Sequence, residues 1–457
     1  MSMPTVGEAV ILIPGFMGSR LVRPEDGQTV WLDPEWNLLH LAEAIDLLRL
    51  RSPDDRRLVP GGVLERVPLG AFSPQVYTPL LEFLTTGEKG IGYPASSIHT
   101  FAFDWRRSIE EAAYALDSKI GRWASGYRSD RPFVVLAHSY GGLVAAHALF
   151  TGNHAAARVA LLVTFGVPFG GLLKTLASLQ QADEIDDLPF GPSRLAELLG
   201  DWPGSYDLMP FRETTGLIFD SRKRPRSASS AGFLADGFRA DLATESAQRL
   251  RRHSVPLPED IEGKVPPLGP RPLPVPVRAI VGSGVETAVG VRVSPSGRYQ
   301  IVKGFEGDGT TPVRGALDFA TAHPGDRVVY PVPYGHHVGL VKHPQAFRYL
   351  RTELRHGTRE RFVVVATPRS RLLPAGSPNE LTIEVRDGAG EGLIGSFPPR
   401  VSFSAPVKWT EAASEVEATA RQYIRFAMPA QPVRVTVTIP GLPPNVQPEP
   451  VLVVPAV

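Results

Sequence analysis

Phe133-Val134-Val135-Leu136-Ala137-His138-Ser139-Tyr140-Gly141-Gly142 is an unbroken apolar run that ends on a serine among small residues, and residues 143–150 behind it have helical composition. A strand buried on both faces, a sharp turn and a helix are expected there. Such a turn lifts the Ser139 hydroxyl off the sheet, and it tolerates only small residues two positions before and two after. Gly141 meets the second demand; Ala137, in place of the more usual glycine, meets the first. A strand, turn and helix carrying an inert serine would look the same at this level. The rest of the chain has to decide.

Apolar runs of the same kind recur at residues 9–13, 98–103, 160–165, 277–281 and 327–332, with a helical stretch at 109–125. That alternation predicts a largely parallel α/β sheet flanked by helices, and together with the strand, serine turn and helix at 133–150 an α/β-hydrolase fold. Residues 172–276 differ in texture, with helical patches, a Ser/Arg stretch around 221–230 and a Pro-dense tail over 255–276. Such a tail sustains neither helix nor central strand, so a cap insertion with an extended return is expected. Phe169-Gly170-Gly171 marks where the cap leaves the sheet and is a candidate pocket wall. From about residue 361, Leu381, Ile383 and Val385 alternate with polar residues, as do Val433, Val435, Val437 and Ile439. Period-2 patterning of this kind predicts antiparallel strands. At 457 residues, two domains are expected: a catalytic domain over 1–360 and a C-terminal β-sandwich accessory domain over 361–457.

A hydroxyl is a weak nucleophile near neutral pH, so it needs an imidazole to take its proton and a carboxylate to orient that imidazole. In this fold the three follow in the order Ser, acid, His. Gly307-Asp308-Gly309-Thr310-Thr311-Pro312 sets a carboxylate in a Gly-flanked loop before a helix starting near Val313. Tyr334-Gly335-His336-His337-Val338 sets imidazoles just past the strand at 327–332. Taken alone, Asp308 reads equally well as the N-cap of the following helix, and spacing does not separate His336 from His337. His138, His147, His154 and His343 are expected to be packing or surface residues. Two backbone N–H groups should receive the oxyanion: that of Tyr140, and one from Pro14-Gly15-Phe16-Met17-Gly18, with Phe16 preferred over Met17.

Composition narrows the partners. Lys and Arg number 48 against 47 Asp and Glu, a net charge of +1, which lacks the electrostatic footprint of a nucleic-acid binder. With no cysteine there is neither a disulfide nor a thiolate metal site. The loop at 307–310 lacks the alternating oxygen ligands of a calcium site, so no metal and no cofactor is implied. Residues 1–8 carry no basic leader region, and the run at 9–13 is too short for a signal segment or a membrane span, so a cytoplasmic protein is expected. Trp31, Trp36, Leu38, Leu39, Leu41, Ala42, Ile45 and Leu48 form an amphipathic stretch that suits either a lipid interface or a core-packed helix. The basic cluster Arg222, Lys223, Arg224 and Arg226 suits lipid phosphates or a solvated loop.

Several of these segments together resemble the lecithin:cholesterol acyltransferase family of α/β-hydrolase lipases and acyltransferases. The resemblance runs motif by motif over residues 9–350: Ile13 to Leu21, Val30-Trp31-Leu32-Asp33-Pro34, Phe103-Asp104-Trp105-Arg106, Trp202 to Pro210, Gly282 to Thr287 and Gly307-Asp308-Gly309-Thr310 occur in family order. It implies Ser139 as nucleophile, Asp308 as acid, Phe16 and Tyr140 as oxyanion donors, and His337 as base, because His337-Val338-Gly339-Leu340 fits the family's short apolar stretch after the base. The disulfide that restrains the lid in animal members has no counterpart in a chain without cysteine, and the C-terminal β region lies outside the resemblance. Lipid specificity is therefore not carried over. The function expected is a serine hydrolase cleaving acyl esters, lipid or phospholipid, through an acyl-enzyme on Ser139. A non-catalytic binding protein on the same scaffold, or an amidase or peptidase with the same triad, are the alternatives. The expected partners are an acyl-ester or lipid substrate and, transiently, a membrane or lipid interface; nothing in the sequence identifies a protein partner for the C-terminal domain.

Overall fold

In the computed structural model, the described residues are 6–31, 33–66, 75–87, 90–181, 192–210, 217–219, 225–226, 239–256, 268–294, 299–323, 326–355, 363–368, 372–386, 392–393, 400–404, 409–411, 421–428, 430–431, 433–438 and 451–456. Ala9–Ile13 (β1) places five consecutive apolar side chains, all buried, and a strand of that kind must be covered on both faces. It lies inside a six-stranded sheet with Ile98–Thr100 (β2), Phe133–His138 (β3), Val159–Phe165 (β4), Val277–Ser283 (β5) and Arg327–Pro333 (β6), in the order β6-β5-β4-β3-β1-β2. Every neighbouring pair is parallel. The loops leaving the C-terminal ends of these strands therefore gather along one edge, where a site is best assembled from distant sequence.

All six expected runs are strands. The run at 98–103 ends at Thr100, beyond which Phe101, Phe103 and Trp105 turn into the core.

Five helices matter for the site: Thr78–Thr85 (α1), Ile109–Ala124 (α2), Tyr140–Thr151 (α3), Ala240–Arg251 (α4) and Pro344–Leu354 (α5). The strand pleat sorts the core into two layers. Ile11, Ile13, Val135 and Ala137 face one layer with α2 and α3. Val10, Leu12, Val134 and Leu136 face the other with α1 and α5. On α2 the buried Ile109, Ala112, Ala113, Leu116 and Ile120 form a stripe at helical spacing. On α3 every residue from Tyr140 to Leu149 is buried, as expected of a helix that is apolar all round.

Three further arrangements were not legible in the sequence. The loop after β1 continues into a three-stranded antiparallel sheet of Ser19–Val22, Thr29–Trp31 and Val59–Val63. Thr287–Val293 and Tyr299–Gly304 form a hairpin, and Leu217–Phe219 of the cap adds to it in parallel. The Pro-dense return holds a paired strand rather than a bare connector, Ser254–Pro256 being antiparallel to Leu268–Pro270.

The amphipathic stretch is two short helices, Pro34–Leu39 and Leu41–Leu48, broken at His40. Trp31, Ala44 and Leu48 are buried, so its main role is core packing, while Leu39 is 79% exposed. Leu32, Arg222, Lys223 and Arg224 lie outside the described residues, and Arg226 sits in the two-residue strand Pro225–Arg226. Beyond residue 362 the described elements are all strands, in one sheet of five and one of four. Phe426 and Met428 are buried near the end of one sheet, Val433 and Val435 in the other; Ile439 lies outside the described residues. No helix among the described residues is long and apolar enough to cross a membrane.

Candidate active site

Ser139 links β3 to α3 with φ 50° and ψ −127°, a conformation that costs a non-glycine residue roughly 1–3 kcal/mol. The surroundings enforce it. The Ser139 N–H donates to the Phe165 carbonyl at 2.9 Å, and α3 packs so tightly on β1 that a Cβ at Gly141 would lie 2.3 Å from the Pro14 carbonyl oxygen. The small-residue demand read from the sequence is thus a helix-on-strand contact.

His337 Nε2 lies 2.8 Å from Ser139 Oγ, and His337 Nδ1 lies 2.8 Å from Asp308 Oδ2. Of the two neighbouring histidines, His337 is the one brought to the serine. An ionised carboxylate only accepts, so Nδ1 carries the hydrogen and Nε2 is left to accept from the Ser139 hydroxyl. Asp308 is not a helix N-cap, because that place belongs to Pro312. Instead Oδ1 accepts from the N–H groups of Thr310 at 2.9 Å and Thr311 at 2.6 Å, which leaves Oδ2 for the imidazole. The Asp308 carbonyl also accepts the His337 N–H at 2.8 Å. Gly166, just past β4, has φ 56°, and a Cβ there would lie 2.6 Å from Asp308 Oδ2 and 3.0 Å from His337 Nδ1. Nothing in its local sequence marked it.

The loop at 14–18 lies against Ser139: a Cβ on Gly15 would sit 3.0 Å from that of the serine. The Phe16 ring packs edge-on against Trp105 at 5.4 Å and Tyr140 at 5.7 Å. Trp105 in turn meets Trp31 at 4.9 Å and Trp202 at 5.0 Å. Three of the motifs singled out in the sequence therefore supply one aromatic cluster around Phe16. Trp31 Nε1–H donates to the Met17 carbonyl at 3.0 Å, which pins the loop whose Met17 has φ 61°.

Asp207, inside the cap motif, is a buried anchor that the sequence reading did not single out. Its Oδ2 accepts from the Ile109 N–H and the Tyr140 hydroxyl, its Oδ1 from the Ser246 hydroxyl and the Arg249 guanidinium. Burial pushes its pKa up against the pull of Arg249. The start of α2, the residue after Ser139 and the helix α4 thereby share one carboxylate. Asp207→Ala is expected to lower stability in urea unfolding by about 3–5 kcal/mol, since the Ile109 N–H, the Tyr140 and Ser246 hydroxyls and the largely buried Arg249 would all lose this acceptor, with only the exposed Glu245, at 3.5 Å, left to pair with Arg249.

Among the other histidines, His147 pairs through Nδ1 with His253 Nε2 at 2.9 Å in the interior, and the His343 side chain caps α5. His138, read as a packing residue, is bonded to Tyr77 and to the main chain of His337.

Residues 74–230 match the model of the family described as lecithin:cholesterol acyltransferase. Ser139 and Asp207 fall within that match; Asp308 and His337 lie beyond it. No curated protein matches the chain. Among solved structures, the Tle4–Tli4 complex is similar over 74% of this chain and 96% of that one, with 13% identity and a TM-score of 0.50. The mature form of lipase BlEst2 from Bacillus licheniformis has 12% identity over 75% of this chain and 90% of its own, with a TM-score of 0.32. Phospholipase PlaB from Legionella pneumophila has 12% identity over 80% of this chain and 84% of its own, with a TM-score of 0.31. At 13% identity the likeness to the Tle4–Tli4 complex speaks for the fold alone, and with the six-stranded parallel sheet flanked by helices that fold is an α/β-hydrolase.

Proposed function

We propose that this chain, which carries the lecithin:cholesterol acyltransferase pattern over residues 74–230, is a serine hydrolase that cleaves acyl esters of lipids or phospholipids through an acyl-enzyme on Ser139. The observation that carries the reading is the unbroken line from Asp308 Oδ2 through His337 to Ser139 Oγ, with 2.8 Å at each step, ending on a serine held at positive φ. In the reaction, Oγ attacks the ester carbonyl carbon while His337 Nε2 takes the hydroxyl proton, and Asp308 stabilises the imidazolium through Nδ1–H. The N–H groups of Phe16 and Tyr140 receive the oxyanion. The C–O bond to the leaving group breaks as Nε2–H passes its proton to the departing alkoxide, giving a free alcohol and the acyl-enzyme. Water, deprotonated by the same nitrogen, then releases the acid and restores Ser139.

A lipid class of substrate is supported by what surrounds the base. Tyr334 and Val338 flank His337 and are 57% and 49% exposed, and Phe305, three residues before Asp308, is 68% exposed. Exposed apolar side chains this near in sequence to Asp308 and His337 suit an acyl chain or its interface. In this reading residues 1–360 are the catalytic domain with its cap, and residues 361–457 an accessory β-domain.

A fluorophosphonate probe with adduct mapping by mass spectrometry tests the proposal. Labelling at Ser139 that is lost in His337→Ala but kept in His336→Ala is the expected result. Folded protein that stays unlabelled even with detergent or lipid vesicles would sink the hydrolase reading. Given labelling, a panel of matched ester, amide and phospholipid substrates, with and without an added alcohol, separates hydrolysis from amide cleavage and from acyl transfer.

A further inference from the structure

We infer that His138 is a positioning residue for the reaction at Ser139: with Tyr77 it forms a buried strap that ties the loop at 14–18 to the main chain of His337. The inference rests on the Ser139 reading above.

His138 points away from α3, into the layer of core beneath α1 and α5. Its Nδ1 lies 2.8 Å from the Tyr77 hydroxyl, its Nε2 3.2 Å from the His337 carbonyl oxygen, and the Tyr77 hydroxyl accepts the Gly15 N–H at 2.9 Å. Both side chains are buried. The His337 carbonyl can only accept, so Nε2 of His138 must carry hydrogen. Burial, with the neighbouring His337 ring adding to it, holds the His138 imidazole down at about 3, so the ring is neutral and Nδ1 is bare. Tyr77 must then donate to Nδ1, and its oxygen is free to accept from Gly15. Every hydrogen has one place, and all point the same way: Gly15 N–H to Tyr77, Tyr77 O–H to His138, His138 Nε2–H to His337. Bonds aligned in this manner polarise one another.

The strap reaches both sides of the nucleophile. The His337 main chain is held at its N–H by the Asp308 carbonyl and at its carbonyl by His138, so the imidazole swings from a backbone fixed at both ends. Gly15, fixed through Tyr77, precedes Phe16, whose N–H is the proposed oxyanion donor. Loosening the strap misplaces the base and one donor together, and it acts on the transition state more than on substrate binding.

The experiment has a spectroscopic arm and a kinetic one. Nitrogen-15 spectra of the imidazoles in the full-length protein, with the His138 signals identified by their loss in His138→Gln, should show His138 protonated on Nε2 at neutral pH. An Nδ1-protonated ring or an imidazolium would overturn the strap. In ester turnover, Tyr77→Phe, which removes a single oxygen, should lower kcat by roughly tenfold with KM nearly unchanged, and His138→Ala by roughly 10- to 100-fold, the range set by leaving buried polar groups unpaired. Gln at 138 restores a donor toward His337 and Asn an acceptor for Tyr77, so each should recover part of the loss. Pairing Tyr77→Phe with His138→Ala should cost little more than His138→Ala alone. Folded variants with wild-type kcat, or losses that multiply in the pair, would refute a shared positioning role. Wild-type protein that neither takes up the fluorophosphonate nor turns over esters would sink the Ser139 reading instead, and the tautomer spectrum would still decide the strap.

Discussion

Ser139→Gly should yield a protein that has lost ester turnover by roughly 10⁴- to 10⁶-fold and yet melts no lower than the parent. Loss of the attacking oxygen removes the proposed chemistry outright. Stability moves the other way because of the backbone. At φ 50° a side chain costs roughly 1–3 kcal/mol, which glycine does not incur, against roughly 0.5–1 kcal/mol for the greater freedom of glycine in the unfolded chain. The net expectation is a gain of about 1 kcal/mol. Ser139→Ala is the informative control, since alanine removes the same oxygen but keeps the Cβ and therefore the strain. Thermal melts of the two variants beside turnover assays measure both effects. Equal melting temperatures for Gly and Ala would hold the strain to the roughly 0.5–1 kcal/mol that glycine loses through its unfolded-chain freedom, and a Gly variant that melts below Ala by that amount would mean that the elbow stores none.

Asp308→Asn should lower kcat by about 10⁴-fold with the fold intact, a magnitude expected when the imidazole is locked in the wrong tautomer. The direction follows from the hydrogen-bond pattern. Oδ1 accepts two backbone N–H groups, those of Thr310 and Thr311, so the carbonyl oxygen of asparagine must stay there. Its NH₂ is thereby forced into the place of Oδ2, facing His337 Nδ1. Two donors cannot share that contact, so His337 must give up the hydrogen on Nδ1 and carry it on Nε2, where it can no longer take the serine proton. Steady-state kinetics with an activated ester checks the fall, and a nitrogen-15 spectrum checks the tautomer. Turnover within tenfold of the parent would remove Asp308 from the proposed mechanism.

What the sequence made legible follows from where each signal lives. Strands buried on both faces need runs such as residues 9–13 and 133–137, whose composition alone sets them apart, and those strands are present. The serine, acid and base candidates sit at strand ends in a fixed order, so their segments could be read, and the resemblance to a family separated His337 from His336. The remainder depended on long-range partners. His138 looks like any core histidine until Tyr77 and the His337 carbonyl, 61 and 199 residues away, are seen beside it. Asp207 bonds across 98 residues to Ile109, and Gly166 is required by a contact whose atoms come from two later segments. The pairing of Leu217–Phe219 with the hairpin of Thr287–Val293 and Tyr299–Gly304 spans some seventy residues and has no local mark.

The separation of the triad along the chain has a bearing on synthesis. Ser139 and His337 are 198 residues apart, and β3, α3 and the turn between them all precede the cap. At ordinary translation rates of about 5–20 residues per second, the ribosome needs roughly 10–40 s to reach the base after making the nucleophile. Throughout that interval the nascent chain carries an elbow whose hydroxyl has no imidazole to take its proton. Because the edge strand β6 immediately precedes His337 and pairs only with β5 in the sheet, on the proposed mechanism the base leaves the ribosome together with the strand that completes the sheet. On the proposed mechanism, a prematurely terminated chain ending anywhere between residues 172 and 276 is therefore expected to turn over no ester, whatever part of it has folded.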